Sequence, residues 1–275
     1  MRLELDLCKK ALVKPSGILI YKNILHKFFD KQKSPWYSIE PTDGFPPFEV
    51  LPECNHAKAA KHLLGLKRRR SILKIDLHRF FEQIGVEKVD QFFYKNCRCD
   101  KRTSKILSCL CCVPLGPKGS NSKRKSIARG FATSPRLAVW CNLDIFLRLN
   151  HLVHKSLKGK DPRIAIYVDD IGITASRVSE EEMTSLLNDI KSLFSSSGES
   201  LKLNDKKTKI KSHKEGMEYV GITLLRNSLE VGKKAQSKRD RLKNELRGSL
   251  SKSEKSQIRR RYKATTWYKK YIGSL

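Results

Sequence analysis

Apolar residues recur along this chain with two periods, and the switches between them outline its elements. Ala57 to Gly65 has helical spacing, and Ser71-Ile72-Leu73-Lys74-Ile75 reads as a strand ending at Asp76. Residues 86–113 predict helices around a polar loop at Cys97–Thr103, followed by a basic Gly/Ser loop at Lys118–Lys125. Ser134-Pro135 opens a helix, with Ser as cap and Pro in the first turn. The apolar run from Leu137 to Leu149 predicts that this helix is deeply buried. Ile164–Val168 and Ile171–Ala175 are short strands separated only by Asp169-Asp170. That spacing predicts a two-residue hairpin, whose left-handed backbone Asp tolerates. Ser179-x-x-Glu182 is a capping box, and Met183, Leu186, Leu187, Ile190 and Phe194 form one helical stripe that Gly198 ends. Leu201-Lys202-Leu203 and Tyr219–Leu225 read as strands, with a turn at Asn227-Ser228 into Leu229-Glu230-Val231. From Lys233 two basic helices follow, separated by Gly248–Ser251, the second opening with the capping box Ser251-x-x-Glu254. This change of character predicts a strand-and-helix region over 1–231 and a helical unit over 232–275.

The 275 residues are 39% hydrophobic, enough for a real core in one or two domains. No segment reaches the roughly 20 apolar residues of a spanning helix, so no membrane partner is expected. Acids in Met1-Arg2-Leu3-Glu4-Leu5-Asp6 interrupt the window where a signal peptide needs an apolar run, which predicts a cytoplasmic protein with reduced thiols. Lys and Arg total 57 against 28 Asp and Glu, a net charge of +29. Self-repulsion of that size calls for a polyanion, and nucleic acid is the usual one. The cations run from Lys67-Arg68-Arg69-Arg70 through Lys123, Arg124 and Lys125 to Arg259, Arg260 and Arg261, which suits a long groove better than one cluster. Cys97, Cys99, Cys109, Cys111 and Cys112 raise a zinc question, but Cys97-x-Cys99 lacks knuckle spacing and Ile106–Val113 also reads as core.

In so basic a chain the placement of carboxylates carries information. Asp76 ends one strand, and Asp169 and Asp170 sit at a hairpin tip. If these strands are neighbours, three carboxylates meet and repel one another unless cations sit between them. Mg²⁺ suits hard oxygen ligands and keeps positions for substrate phosphates. Two such ions about 4 Å apart activate a hydroxyl and steady a leaving pyrophosphate, the chemistry of polynucleotide polymerases. On spacing alone, a plain Asp-Asp turn explains the residues as well.

Ile166-Tyr167-Val168-Asp169-Asp170-Ile171 resembles the Tyr-x-Asp-Asp box of reverse transcriptases. Leu73–Phe81 resembles their first catalytic motif as it occurs in bacterial retron enzymes, and Gly130–Ala138 the motif that supports template and incoming nucleotide. Leu201–Thr208 is similar to the next motif, and Tyr219-Val220-Gly221-Ile222 to the primer-grip turn. The motifs fall in family order between about residues 57 and 231, and ordered sets are far more specific than single boxes.

The resemblance implies an α+β right-hand polymerase, with fingers and palm over 1–231 and a small helical thumb over 232–275. It implies Asp76, Asp169 and Asp170 as ligands for two Mg²⁺ ions, and Lys207 as proton donor to pyrophosphate. Phe81 stands where the family places its steric gate. Backbone amides of Leu77, His78 and Arg79 are candidates for holding the triphosphate, with Arg129 and Gly130. Tyr219, Val220 and Gly221 would grip the primer, and Gly172 would leave room for its end or adjust the hairpin. Tyr262, Trp267, Tyr268 and Tyr271 could stack on bases or pack the helices. A structured noncoding RNA as template and primer, dNTPs, a DNA product and a defence effector protein are the implied partners. Three departures weaken the retron subgroup: Arg129 where the family has Gln, Lys58-Ala59-Ala60-Lys61-His62 without the expected Asn, and Tyr219-Val220-Gly221 in place of Val-Thr-Gly. The rival readings are an enzyme making untemplated or protein-primed DNA, and a non-catalytic RNA-binding scaffold.

Overall fold

The computed structural model describes residues 56–65, 69–116, 121–131, 133–196, 201–212, 216–225, 228–248 and 251–275. The N-terminal stretch, Lys67, Arg68, Lys118, Gly198 and Asn227 lie outside these ranges. In chain order the elements are α1 (His56–Leu64), β1 (Arg70–Asp76), a 3₁₀ turn (Phe80–Gln83), α2 (Val86–Gln91) with a π turn (Phe92–Asn96), and α3 (Lys101–Cys111). Then come β2 (Cys112–Pro114), β3 (Lys125–Ile127), α4 (Ser134–Cys141), α5 (Leu143–Ser156), β4 (Arg163–Tyr167), β5 (Asp170–Ser176) and α6 (Glu180–Ser196). The chain closes with β6 (Lys209–Lys211), β7 (Met217–Tyr219), β8 (Ile222–Leu224), β9 (Leu229–Val231), α7 (Lys233–Glu245) and α8 (Lys252–Gly273). This mixture of helices and antiparallel sheets is α+β. Among the described residues, no helix is long and apolar enough to cross a membrane.

Two compact units emerge, one holding 79–147 and the other 56–78 with 148–275. In the first, Phe80, Ile84, Val89, Phe93, Ile127 and Phe146 are buried. Asp100 caps α3 by accepting from the amides of Arg102 and Thr103 at 3.0 Å, so the helix starts inside the stretch expected as loop. The helix predicted over Leu137–Leu149 is two helices. Asn142 ends α4 and turns its side-chain amide back to the Ala138 carbonyl at 2.8 Å, while accepting from Lys88 Nζ at 2.8 Å. Thr133, not Ser134, stands at the cap position of α4, and no side chain caps it. Burial pushes the thiols of Cys97 and Cys112 up to about 12.

The second unit is built on the sheet β4-β5-β1-β6, antiparallel throughout. One face is covered by α6, whose buried stripe Met183, Leu186, Ile190 and Phe194 packs against β1 and β6. Ser179 and Glu182 close the capping box at its start. On the other face α1, the β7-β8-β9 sheet and the end of α8 share one apolar cluster that includes Leu63, Ile72, Tyr219, Val231 and Ile272. Arg70 is not part of a basic groove: its guanidinium pairs with Asp161 at 2.6 Å and donates to Thr174 Oγ1 at 3.1 Å. The strand expected over Tyr219–Leu225 is interrupted by a turn at Val220-Gly221, with φ of 44° and 79°. The Gly232 amide then donates to the Gly221 carbonyl at 2.9 Å as the chain enters α7.

Gly172 has a packing role. A Cβ there would lie 2.6 Å from Leu63 Cδ1 and 2.9 Å from the Tyr219 ring, so α1 and β7 approach β5 only because it has no side chain. Gly172→Ala should cost about 1–3 kcal/mol by overpacking, seen as a lower urea midpoint with an unchanged slope.

Candidate active site

The register of β1 against β5 sets Asp76 opposite Asp170, Lys74 opposite Gly172 and Ile72 opposite Thr174. Directly opposed residues put their side chains on the same face of a sheet. Asp76, Lys74 and Asp170 therefore share one face, the face on which α1 and Tyr219 pack. The neighbourhood of β1 and β5 that the carboxylate argument required is thus present.

The hairpin differs from expectation by one residue. Tyr167 pairs with Asp170, so the two turn residues are Val168 and Asp169, and Asp170 is the first residue of β5. The positive φ falls on Val168, at 59°. A β-branched residue is strained there, a position such turns usually give to glycine. The Asp169 carbonyl accepts from the Leu77 amide at 3.0 Å, which ties the tip to the end of β1. The Tyr219 hydroxyl lies 3.0 Å from the Ala165 carbonyl and 3.1 Å from that of Asp170, its single proton shared between them.

Asp76 is buried and doubly held. Asn204 Nδ2 donates to Oδ2 at 3.1 Å, and Lys207 Nζ lies 3.2 Å from Oδ1. The Asn204 amide also donates to the Asp76 carbonyl at 2.8 Å, and the Asn204 carbonyl accepts from Lys207 and Thr208. Asp170 Oδ1 pairs with Lys74 Nζ at 3.2 Å. Asp169 has its carboxyl pushed up by burial first, then by the charges of Asp170 and Asp76, with Lys207 opposing.

Among the described residues, no group of three His, Cys, Asp or Glu side chains forms a ready metal cage. Asp76 and Asp170 are each held by a separate ammonium. The donor chemistry nevertheless suits a hard divalent cation. The oxygens are carboxylate oxygens, the charges of Asp170 and Asp76 push the Asp169 carboxyl up, and ammonium groups already lie against Asp76 and Asp170.

Other predicted residues are distributed as follows. The amides of Leu77 and His78 are donated to the carbonyls of Asp169 and Lys202, so the expectation that they hold a triphosphate does not stand. Arg79 adopts φ 45° ahead of the 3₁₀ turn. In that turn Phe80 is core against Phe146, and Phe81 is half-buried. Arg129 pairs with Glu82 at 2.8 Å, and Gly130 has φ +87° with open space around it. Lys123 and Arg124 are exposed and Lys125 opens β3; Arg259, Arg260 and Arg261 are exposed on α8. Lys74 and Asn204 were not among the expected site residues. Strand alternation could have found Lys74, two residues before Asp76, whereas Asn204 is legible only within its Asn-x-x-Lys spacing.

The reverse transcriptase (RNA-dependent DNA polymerase) family model matches residues 20–224. The chain belongs to this family. Among solved structures it is similar to apo telomerase from Candida tropicalis truncated from the C-terminal domain, at TM-score 0.40 and 12% identity, over 60% of this chain and 36% of that one. It is also similar to telomerase from Candida albicans in complex with a fragment of telomeric RNA, at TM-score 0.39 and 13% identity, over 78% and 37%. The chain thus spans little more than a third of those proteins, and the family match alone carries the assignment. No curated protein matches.

The raised Asp169 carboxyl sets a pH dependence. The folded state holds this proton more tightly than the unfolded chain, so the contribution of this group to stability is full below about 3.8 and is lost as pH rises through the raised folded value. Asp169→Asn removes that loss. In chelator at pH 7 the variant should melt above wild type, and the gap should close as pH falls below the ordinary aspartate range.

Proposed function

We propose that the chain is an RNA-directed DNA polymerase that extends a primer hydroxyl with dNTPs, with Asp76, Asp169 and Asp170 as its metal-binding carboxylates. The observation that carries the reading is the register of β1 against β5, which brings Asp76 beside the Asp169-Asp170 tip within a reverse transcriptase family member. Bound Mg²⁺ would supply Lewis acidity to the attacking hydroxyl and the leaving pyrophosphate.

In the reaction the primer 3′ oxygen forms a bond to the α-phosphorus of the dNTP while the bond to the β-phosphate bridging oxygen breaks. Pyrophosphate leaves, and the hydroxyl proton passes to solvent. Asn204 keeps Asp76 fixed at the end of β1, and Lys207, already within reach of that carboxylate, is placed to give a proton to pyrophosphate. Tyr219 holds the hairpin by its two carbonyls. Phe81 is the residue we assign to exclusion of the ribose 2′-hydroxyl, with Arg129 and Gly130 as further nucleotide contacts. Residues 232–275 serve as the thumb, and exposed cations of the Lys123–Lys125 loop and of α8 pair with phosphates.

The finer reading is a retron-type enzyme. A structured noncoding RNA supplies template and primer, the product is an RNA–DNA hybrid made in antiphage defence, and an effector protein acts beside it. The retron-like form of Leu73–Phe81 supports this. Clustered carboxylates disfavour the scaffold alternative, because a pure RNA binder gains nothing from negative charge near phosphates.

Asp76→Asn, or Asp169→Asn with Asp170→Asn, should lower primer extension by about 10³-fold or more while RNA affinity holds or rises. Undiminished synthesis would remove the metal assignment. Phe81→Ala should relax discrimination against ribonucleotides by at least about tenfold in single-nucleotide incorporation. An unaltered sugar preference would end the gate role.

A further inference from the structure

The outer surface of α8 carries a feature that the fold does not use. Lys252–Gly273 holds eight Lys and Arg against one acid, Glu254. The inner side is accounted for: Ile272 is buried, and Tyr268 and Tyr271 pack on the apolar cluster beneath. Tyr268 also places its hydroxyl 2.7 Å from His56 Nε2. Trp267 is different. It is 66% exposed, more than any other large apolar side chain among the described residues.

The indole is not loose. Its ring lies parallel to that of Tyr271, at 5.4 Å between centroids and 2° between planes. Tyr271 is anchored in the cluster, so it backs one indole face and leaves the other open. Helical spacing sets Lys263 and Lys270 beside Trp267 and Arg260 a turn further on, all exposed. None of these three cations makes an ion pair among the described residues.

A flat aromatic face held rigid between cations complements a nucleotide whose base is unpaired. The base stacks on the ring, and the neighbouring phosphates meet the cations. The 10 Å or so that separate Lys263 from Lys270 along the helix suit phosphates on either side of a stacked base. A paired duplex hides its base faces and cannot use such a platform. The net charge of +29 disfavours a basic or neutral partner. We propose that Trp267, backed by Tyr271 and flanked by Arg260, Lys263 and Lys270, is a stacking platform for an unpaired stretch of the RNA. This rests on the nucleic-acid reading above and adds to it a preference for single-stranded RNA on α8.

The test is fluorescence anisotropy of the full chain with a short unpaired RNA, the same RNA carrying abasic sites, and a blunt RNA duplex. Trp267→Ala should weaken unpaired RNA by about tenfold and leave the duplex unchanged, and Trp267→Phe should keep most of the affinity. Abasic sites should weaken wild type but not Trp267→Ala. The salt slope should be unchanged in Trp267→Ala and shallower in Lys263→Gln with Lys270→Gln. Equal binding of unpaired RNA by wild type and Trp267→Ala overturns the proposal, as does an equal loss for unpaired and paired RNA. Trp267-dependent binding to phosphatidylserine vesicles with no such dependence for RNA also overturns it. Primer extension separates the two claims. Wild type that binds through Trp267 but never extends a primer removes the polymerase reading alone. Extension with Trp267-independent binding removes the platform alone.

Discussion

The antiparallel pairing of β1 with β5 is the constraint on which the site depends. It fixes Asp76 opposite Asp170 on one face of a central strand pair, where like charges directly across from each other are destabilising. The protein answers with ammonium groups from two directions. Lys74 comes from within β1 itself, and Lys207 from the turn that follows Asn204. Asp76 and Asp170 each have an ammonium neighbour, whereas Asp169 at the tip keeps a carboxyl pushed up by burial and by those two charges. A one-residue slip of β1 would turn Asp76 to the α6 face and bring Ile75 to the site. The whole apolar register on both faces therefore guards the position of one carboxylate.

Packing enforces the same geometry from outside the sheet. Gly172 lets α1 and Tyr219 settle onto β5, and the Thr174 hydroxyl donates to the Leu63 carbonyl at 2.7 Å. Tyr219, fully buried, reaches back to the carbonyls of Ala165 and Asp170 on the two arms of the hairpin. Tyr219 thus braces the acidic tip from the β7-β8 turn. The left-handed Val168 is held by these surroundings and not by its own preference.

Much of this was legible in the chain. Near-continuous apolar runs ending in Asp76 and flanking Asp169-Asp170 marked the strands, because a strand covered on both faces is apolar at most positions. Both Ser-x-x-Glu boxes and the α6 stripe are local features, and local rules govern them. The misses are tertiary. The hairpin turn moved one residue toward Val168 because cross-strand pairing, not the Asp preference for turns, set it. Asn142 split an apolar run whose composition alone suggests one helix, because its side chain satisfies the end of α4. The amides of Leu77 and His78 are used up by partners about 90 and 125 positions away in sequence, which no local pattern could reveal. Arg70 looked like part of a basic run and is instead half of an inward pair with Asp161, since charge alone does not tell direction.

The link from the Val220-Gly221 turn into the C-terminal helices is short and tight. The amide of Gly232 is donated to the carbonyl of Gly221, and a side chain at 232 would collide with that same oxygen and with Glu218. The start of α7 is therefore tied to the β7-β8 hairpin through Gly232. The same hairpin carries Tyr219, whose hydroxyl reaches the backbone of Asp170, so the start of the C-terminal helices and the acidic tip hang on one small three-stranded sheet.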